Sequence, residues 1–273
     1  MPEFIGEDEG RDLFGSDPRN YNAIRPLYPE QVYEFLRRTG ALRANTSTLE
    51  IGAGNGLATR RLLDFGANPL TVLEPDKRFE PLLRSLAQLY QANIHFITES
   101  FEAAVLPPQH YDLVAAATSF HWIQPAIGLI KVAEVLKPGG YVALWWHVFG
   151  DTEREDPYHE ATKLILQPLA SSPSDRPNTV PFAIDIPARL RDFSNTQQFE
   201  EPAYAVYRWT FVLNTAQVGS LYATFSPISR LPEEQRKTIL QQLMEVADQQ
   251  FGGIVERNMV SPVYVARRNP RST

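Results

Sequence analysis

The sequence predicts an α/β protein built on a parallel sheet with helices on both faces. Short apolar runs alternate five times with helix-compatible segments between residues 48 and 146, a pattern typical of strand–helix–strand units. The run Tyr111–Ala116 is continuously apolar after Asp112, which indicates a strand buried on both faces. With 43% hydrophobic residues over 273 positions, the chain can form a full core.

The first predicted strand, Thr48–Ile51, leads into three glycines spaced two apart, Gly52, Gly54 and Gly56. A helix is predicted directly after this turn, at Leu57–Phe65. Glycine permits a positive φ and lets a ligand approach the main chain, while a helix N-terminus presents amides to a polar group. The turn therefore indicates a ligand site at the end of the first strand.

Periodicity predicts the other elements of this region. Further strands are predicted at Leu70–Leu73, Ile94–Thr98, Tyr111–Ala116 and Tyr141–Trp146. Further helices are predicted at Glu30–Thr39, Lys77–Gln91 and Pro125–Leu136. The sequence Lys-Pro-Gly-Gly at residues 137–140 is expected to stop the last of these helices.

The regular alternation ends after Gly150. Residues 151–200 contain six prolines and one helical candidate, Tyr158–Leu169, and we interpret them as an insertion that caps the ligand pocket. The remainder is predicted to form a strand at Tyr204–Leu213, helices at Ala216–Phe225 and Pro232–Gln250, and a strand at Val260–Ala266. Pro262 interrupts that last strand and favours a place at or near a sheet edge.

We therefore divide the chain into four parts. These are a flexible lead-in (1–20), a ligand-binding core (21–150), the insertion (151–200) and the C-terminal part of the same domain (201–273).

Composition argues against several functional classes. The net charge of −6 disfavours binding to nucleic acid, and the absence of cysteine excludes disulfides and thiolate nucleophiles. The five histidines lack metal-ligand spacing, so no metal site is predicted. The acidic start is unlike a signal peptide, and no apolar run reaches the roughly 18 residues of a membrane helix. We expect a cytoplasmic protein without nucleic-acid or membrane partners, as a monomer or homodimer.

The spacing of the glycines separates three kinds of ligand turn. A dinucleotide turn has the pattern G-x-G-x-x-G, but Leu57 occupies its third glycine position here, where the pattern is G-x-G-x-G. The Gly-Lys-Ser/Thr of a phosphate-binding loop is absent. Two alternatives remain open at this point: a tight turn that holds no ligand, and a nicotinamide-dependent oxidoreductase.

Residues at the ends of the second and third strands favour a nucleoside ligand. Glu74 follows Gly52 by 22 positions, and in a parallel sheet its carboxylate would lie beside the glycine turn, where it can accept from both ribose hydroxyls. Ser100, Phe101 and Glu102 end the third strand and could supply a ring face and polar groups around an adenine. Alternatively, Glu74 is a solvated loop acid and Phe101 a core residue.

Taken together, these motifs resemble those of the class I S-adenosylmethionine-dependent methyltransferases. The matching segments are Glu50–Gly56, Leu73–Asp76, Tyr111–Val114, Ser119–Trp122 and Leu136–Gly140. More narrowly, the Arg-Pro-x-Tyr-Pro sequence from Arg25 and the His-Trp pair at residues 121–122 are similar to the small-molecule branch with the type 11 methyltransferase domain. That branch includes proteins resembling trans-aconitate methyltransferases.

This resemblance implies a Rossmann-like sheet with a final antiparallel strand, S-adenosylmethionine as cofactor and S-adenosylhomocysteine as product. The glycine loop would surround the methionyl part, Glu50 would lie near its amino group, Glu74 would hold the ribose, and Tyr21 and Arg25 would close over the site. Arg25 could pair with the cofactor carboxylate. The implied cofactor-binding residues are Tyr21, Arg25, Glu50, Gly52, Ala53, Gly54, Asn55, Gly56, Glu74, Pro75, Ser100, Phe101, Glu102, Thr118, Phe120, His121 and Trp122.

The acceptor is expected to be a small molecule methylated on a hydroxyl or carboxylate oxygen. A hydroxyl benefits from a general base and a carboxylate needs none. His121 and His147 are the two candidate bases, each with an alternative role as an ordinary structural histidine. Trp122, Trp145, Trp146, Phe149 and Tyr158 are candidates either for an aromatic acceptor pocket or for the core. A non-catalytic S-adenosylmethionine-binding protein is the alternative function.

Overall fold

The computed structural model describes residues 24–169 and 180–270. The predicted lead-in (1–20) and Tyr21 lie outside these ranges. The chain divides into two compact units. The sheet unit comprises the described parts of Leu27–His147, Ala183–Tyr207 and Ser261–Thr273, and the helical unit the described parts of Met1–Pro26, Val148–Phe182 and Arg208–Val260. The predicted insertion, 151–200, is thus shared between both units, and its role as a cap stays a prediction.

The strands form an eight-stranded, mostly parallel sheet. They are β1 (Thr46–Ile51), β2 (Ala67–Leu73), β3 (Ile94–Ile97), β4 (Tyr111–Ala117), β5 (Leu136–Trp145), β6 (Val148–Phe149), β7 (Ala203–Asn214) and β8 (Ile254–Arg267). Their order is β3-β2-β1-β4-β5-β8-β6, with β7 also paired to β8. Strands β1 to β5 pair in parallel, and β8 pairs antiparallel with β5. The predicted α/β class and the final antiparallel strand are confirmed.

The helices lie where apolar periodicity and capping residues favour them. They are α1 (Glu30–Arg38), α2 (Leu57–Asp64), α3 (Glu80–Tyr90), α4 (Pro125–Val135), α5 (Pro157–Leu166), α6 (Ile186–Thr196), α7 (Thr215–Ala223), α8 (Ser226–Ser229) and α9 (Glu233–Phe251). Proline occupies the first turn of several of them, where its missing N–H costs nothing. None of the helices in the described ranges is long and apolar enough to cross a membrane.

The first strand is the centre of the sheet unit. All six residues of β1 are buried, because β2 and β4 flank it and helices cover its faces. Leu36 of α1 and Leu62 of α2 pack into the same core as Val72 and Trp145. The sheet therefore holds the carboxyl ends of β1, β2 and β4 at one edge, where the glycine turn begins.

Two parts of the sheet unit differ from the sequence prediction. Strand β5 begins at Leu136 rather than Tyr141, because Leu136 already pairs with Tyr111 and the Gly140 carbonyl accepts from the Arg268 amide at 2.7 Å. Residues 137–140, Lys-Pro-Gly-Gly, show no alternation of apolar and polar side chains, so the sequence does not indicate a strand over this part of β5. Helix α6 was not predicted within 151–200, although Asp185 caps it and proline occupies its first turn.

The helical unit has its own core around a buried ion pair. The Arg257 Nε donates to Asp156 Oδ2 at 2.8 Å, and the two side chains are only 3% and 4% exposed. The guanidinium also donates to the Tyr222 hydroxyl and lies over the rings of Phe149 and Tyr158. Asp156 additionally caps α5. One carboxylate therefore neutralises a buried charge and begins a helix.

We expect the Asp156→Asn variant to lose about 3–5 kcal/mol of unfolding free energy, because it leaves the Arg257 charge buried and unpaired. Asparagine caps helices as well as aspartate, so the loss reports the charge rather than the cap. Urea denaturation at neutral pH measures it. The matched control is Asp185→Asn, since Asp185 likewise caps a helix, accepting from the Ala188 amide at 3.1 Å, and is less buried. Equal losses in both variants would contradict the expectation.

Candidate functional site

The turn after β1 is shaped by close contacts as well as by glycine. The Gly52 amide donates to the Leu73 carbonyl at 2.7 Å, and the Ser119 hydroxyl donates to the Ile51 carbonyl at 2.6 Å. A Cβ added to Gly52 would lie 2.6 Å from the Ser119 Cβ, so only glycine fits there. Gly54 has a φ of +54° and no atom within 4 Å of its missing Cβ. The loop thus presents bare backbone to open space at Gly54.

Glu74 joins the end of β2 to this turn. Its Oε2 accepts from the Gly54 amide at 2.7 Å, and its Oε1 accepts from the Asp76 amide at 2.9 Å. Burial raises the pKa of Glu74, with Asp76 adding to the rise and the two amides opposing it. A carboxylate can accept about four hydrogen bonds, so two acceptor positions remain for a diol. Because both of its carboxylate oxygens accept backbone hydrogen bonds, Glu74 is not the solvated loop acid of the alternative interpretation.

Glu50 is a buried acid whose carboxylate accepts no hydrogen bond from the described residues. The side chain is 1% exposed, and neither carboxylate oxygen has a hydrogen-bond partner among the described residues. Burial, with a smaller contribution from the Glu74 charge, raises the pKa of Glu50 to about 7. The Thr59 hydroxyl lies near enough to oppose this rise, although it forms no hydrogen bond of normal geometry. An arriving ammonium group would supply the missing partner.

The other residue of the turn with an unsatisfied polar group is Asn55. Its Oδ1 accepts from the Leu57 amide at 3.3 Å, while its buried amide nitrogen has no partner within the described parts of the chain. Ala53 and Gly56 are buried beside it. Glu50 at the end of β1 and Asn55 in the turn therefore each carry a polar atom that a ligand could satisfy.

The end of β3 is more closely packed than the sequence suggested. Phe101 is 2% exposed, with the Lys131 ammonium 5.2 Å from its ring centroid, which favours the core role over an adenine contact. The Ser100 hydroxyl accepts from the Ala103 amide at 3.3 Å, and Glu102 is exposed. A small pocket nearby is lined by Glu74, Asp76, Ile97 and Thr98, among others. The adenine assignments at residues 100–102 stay predictions.

At the carboxyl ends of β4 and β5, His147 contacts the strained Thr118 and His121 contacts Trp146. Thr118 has a φ of +52°, and its hydroxyl accepts from the His147 amide at 3.1 Å. The His147 Nδ1 lies 3.1 Å from the Ser261 Oγ. The Trp146 indole donates to His121 Nδ1 at 3.2 Å. Both imidazoles are therefore held by specific contacts.

Hydrophobic residues of this edge are mostly core. Phe120 and Trp122 are buried and form a single turn of 3₁₀ helix with His121 between them. Trp145 is fully buried and Trp146 is 3% exposed. Trp145 is therefore a core residue. Trp146 is also buried, and its indole contacts His121.

Two of the predicted cofactor-binding residues, Tyr21 and Arg25, do not belong to the described part of the sheet unit. Tyr21 is not among the described residues. Arg25 belongs to the helical unit, where its Nε donates to the Thr224 hydroxyl at 3.1 Å and its guanidinium lies 4.9 Å from the Phe225 ring centroid. The pairing of Arg25 with a cofactor carboxylate stays a prediction.

A family match covers the same part of the chain as the glycine turn and Glu74. Residues 49–144, which run from the buried first strand through β5, match a family model described as a methyltransferase domain. An uncharacterized methyltransferase of Schizosaccharomyces pombe is 25% identical over 233 residues, covering 85% of this chain and 86% of the relative.

Residues 49–144 therefore carry a methyltransferase domain.

Two further proteins are similar to this methyltransferase over different extents. An uncharacterized methyltransferase of Mycobacterium bovis is 31% identical over 134 residues, covering 49% of this chain and 51% of the relative. A methyltransferase from Thiobacillus denitrificans, solved in complex with S-adenosyl-L-homocysteine, shares the fold with a TM-score of 0.54 and 16% identity, over 94% of this chain and 97% of that one. The S-adenosyl-L-homocysteine in that structure is the product form of S-adenosylmethionine, the cofactor that the sequence motifs of this chain imply.

The residues of the methyltransferase fit this cofactor on structural grounds. The unpaired Glu50 carboxylate suits an ammonium group, Gly54 leaves room against the main chain, and Glu74 retains acceptor positions for a ribose. The described residues show no group of three or more side chains that could ligate a metal, and the prediction of a metal-independent enzyme stays a prediction.

Gly54→Ala should weaken cofactor binding at least tenfold, about 1.4 kcal/mol, because the methyl group would enter the space that the ligand needs. The matched control is Gly252→Ala in the helical unit, where φ is +62° and nothing lies within 4 Å of the missing Cβ. Both variants should lose a similar amount of stability, about 1–2 kcal/mol, for placing alanine in a left-handed conformation.

Calorimetric titration with S-adenosylhomocysteine measures the affinity, and urea denaturation the stability. Unchanged affinity in Gly54→Ala would rule out the turn as the cofactor site.

Glu50→Gln should flatten the pH dependence of stability in the ligand-free methyltransferase. The folded pKa of about 7 lies above the ordinary 4.5, so the contribution of Glu50 to stability is greatest below pH 4.5 and falls as pH rises to 7. The fall amounts to about 3 kcal/mol at most, at about 1.36 kcal/mol per pH unit. The variant should therefore gain stability relative to wild type between these pH values, measured by urea denaturation.

The same variant should bind S-adenosylmethionine more weakly, because the ammonium loses its buried counter-charge. If stability depends on pH in the same way in wild type and in Glu50→Gln, then Glu50 is already ionised in the folded protein over this pH range.

Proposed function

We propose that this methyltransferase transfers the methyl group to an oxygen atom of a small molecule, with His147 as the base when that oxygen is a hydroxyl. The observation that supports the proposal is the placement of His147 at the carboxyl end of β5, next to Thr118 and Ser261. Bound S-adenosylmethionine supplies an electrophilic methyl group on a sulfonium sulfur. The protein must then orient the acceptor oxygen and accept its proton.

The hydrogen bonds distinguish the two imidazoles. An indole N–H can only donate, so His121 Nδ1 accepts from Trp146 and the neutral ring carries its proton on Nε2. In that form the outer nitrogen of His121 donates and cannot take a proton. The His147 Nδ1 faces a Ser261 hydroxyl that can either donate or accept, so His147 can adopt the tautomer in which Nε2 is the basic nitrogen. His147 is therefore the better base, and His121 a donor that can orient an acceptor.

The step is a direct displacement in which positioning carries much of the rate. With a hydroxyl acceptor, the oxygen–carbon bond forms as the carbon–sulfur bond breaks, the electron pair stays on sulfur, and the hydroxyl proton passes to His147 Nε2. A carboxylate acceptor releases no proton, so His147 would have no role as a base in its methylation.

Release of S-adenosylhomocysteine across a panel of phenols, alcohols, carboxylates and amines tests the proposal. We expect turnover with an oxygen acceptor. His147→Gln should lower kcat for a phenol by about 100-fold or more, the range of general-base effects, and leave a carboxylate acceptor within about twofold. His95→Gln is the control, since His95 is an exposed residue of β3.

Turnover restricted to amines would refute the oxygen assignment. Tight binding of S-adenosylmethionine without turnover of any acceptor would instead indicate a non-catalytic binding protein.

A further inference from the structure

We propose that Tyr28 is a positioning residue that sets the orientation of the His147 imidazole and of Thr118 in the methyl-transfer site. The proposal rests on the function proposed above and adds a residue that the glycine and acidic motifs do not include. Tyr28 contacts His147 and Thr118 through different parts of its side chain, so the two contacts can be tested separately.

The first contact is a ring stack. The Tyr28 ring and the His147 imidazole have centroids 4.1 Å apart and planes inclined by 12°. The imidazole is thereby fixed on one face by Tyr28 while its Nδ1 is fixed by Ser261 at 3.1 Å. These two contacts determine the direction of Nε2, which is the nitrogen that the proposed proton transfer uses.

The second contact is a hydrogen bond to a strained residue. The Tyr28 hydroxyl lies 2.8 Å from Thr118 Oγ1. A φ of +52° is rare for a β-branched residue and persists only where neighbouring contacts hold it. Thr118 is held by its own amide, which donates to the Trp145 carbonyl at 2.8 Å, and by its hydroxyl, which binds both Tyr28 and the His147 amide.

Tyr28 is itself well placed for this role. Pro29 follows it and caps α1 with a φ of −52°, which fixes the backbone on one side of Tyr28. The ring also meets the fully buried Trp145 edge-on, at a centroid distance of 6.0 Å. A rigid side chain thus connects the start of α1 with the ends of β4 and β5. The consequence is that the proton acceptor is oriented before any acceptor binds.

Two variants separate the contacts. Tyr28→Phe keeps the ring and removes the hydroxyl, and Tyr28→Leu removes both. We expect Tyr28→Phe to lower kcat for a phenol acceptor about tenfold, the effect of one hydrogen bond, with the KM for S-adenosylmethionine within about twofold. Tyr28→Leu should lower kcat further. The control is Tyr111→Phe, because the Tyr111 hydroxyl donates to Thr71 at 3.3 Å at the opposite end of β4, and its kcat should stay within about twofold.

Nuclear magnetic resonance of the ligand-free protein gives a readout that needs no acceptor. The His147 ring protons should show an upfield ring-current shift in wild type and Tyr28→Phe that is lost in Tyr28→Leu, with the signal assigned from His147→Gln. Exchange of the His147 amide should accelerate in Tyr28→Phe, because its acceptor Thr118 is then held less firmly.

These ring signals distinguish a failed positioning role from a failed proposed function. If no oxygen acceptor is methylated but the ring and amide signals change as described, Tyr28 still positions His147. Unchanged His147 signals in Tyr28→Leu, or a Tyr28→Phe kcat equal to wild type, would overturn the proposal.

Discussion

The hydrogen bond from the Gly54 amide to Glu74 is the interaction on which the site depends. It fixes the middle of the glycine turn to the end of β2, and so converts a permissive backbone into one conformation. Gly52 is fixed in turn by the Leu73 carbonyl and by the approach of Ser119 from β4. Three strands thereby determine one short loop, and the loop can present its main chain to a ligand without further ordering.

The free enzyme maintains this arrangement at an electrostatic cost. Glu50 is buried and Glu74 is partly buried, both acids have raised pKa values, and they repel each other when ionised. Tyr33, also fully buried, has a raised pKa for the same main reason, and its hydroxyl has no partner within the described ranges. A cationic group bound beside Glu50 would remove part of this cost.

Local patterns in the sequence predicted the fold, and they identified the residues that the structure brings together at the glycine turn, because those features are local. Apolar alternation determines the strands, and Gly52, Gly54, Glu50 and Glu74 occupy strand ends that a parallel sheet brings together. The role of Tyr28 could not be found this way, although Tyr28 lies in the Arg-Pro-x-Tyr-Pro motif, since its stack on His147 joins residues far apart in sequence. The surroundings of Arg25 were equally hidden, because Thr224, its hydrogen-bond partner, is distant along the chain. The length of strand β5 was underestimated, because its first residues include proline and glycine, which do not indicate a strand, and their pairing depends on residues distant in sequence.

The antiparallel pairing of β5 with β8 has a consequence for folding kinetics. Trp145 pairs with Val263 across more than a hundred residues, whereas β1 to β5 assemble from successive strand–helix units. Closing so long a loop is slow, because its entropic cost precedes any gain from the contact. Until β8 arrives, the hydrophobic strand β5 remains an open edge with unpaired backbone groups, the kind of surface that recruits strands from other chains. The length of chain between β5 and β8 therefore prolongs the period in which a nascent molecule exposes this edge.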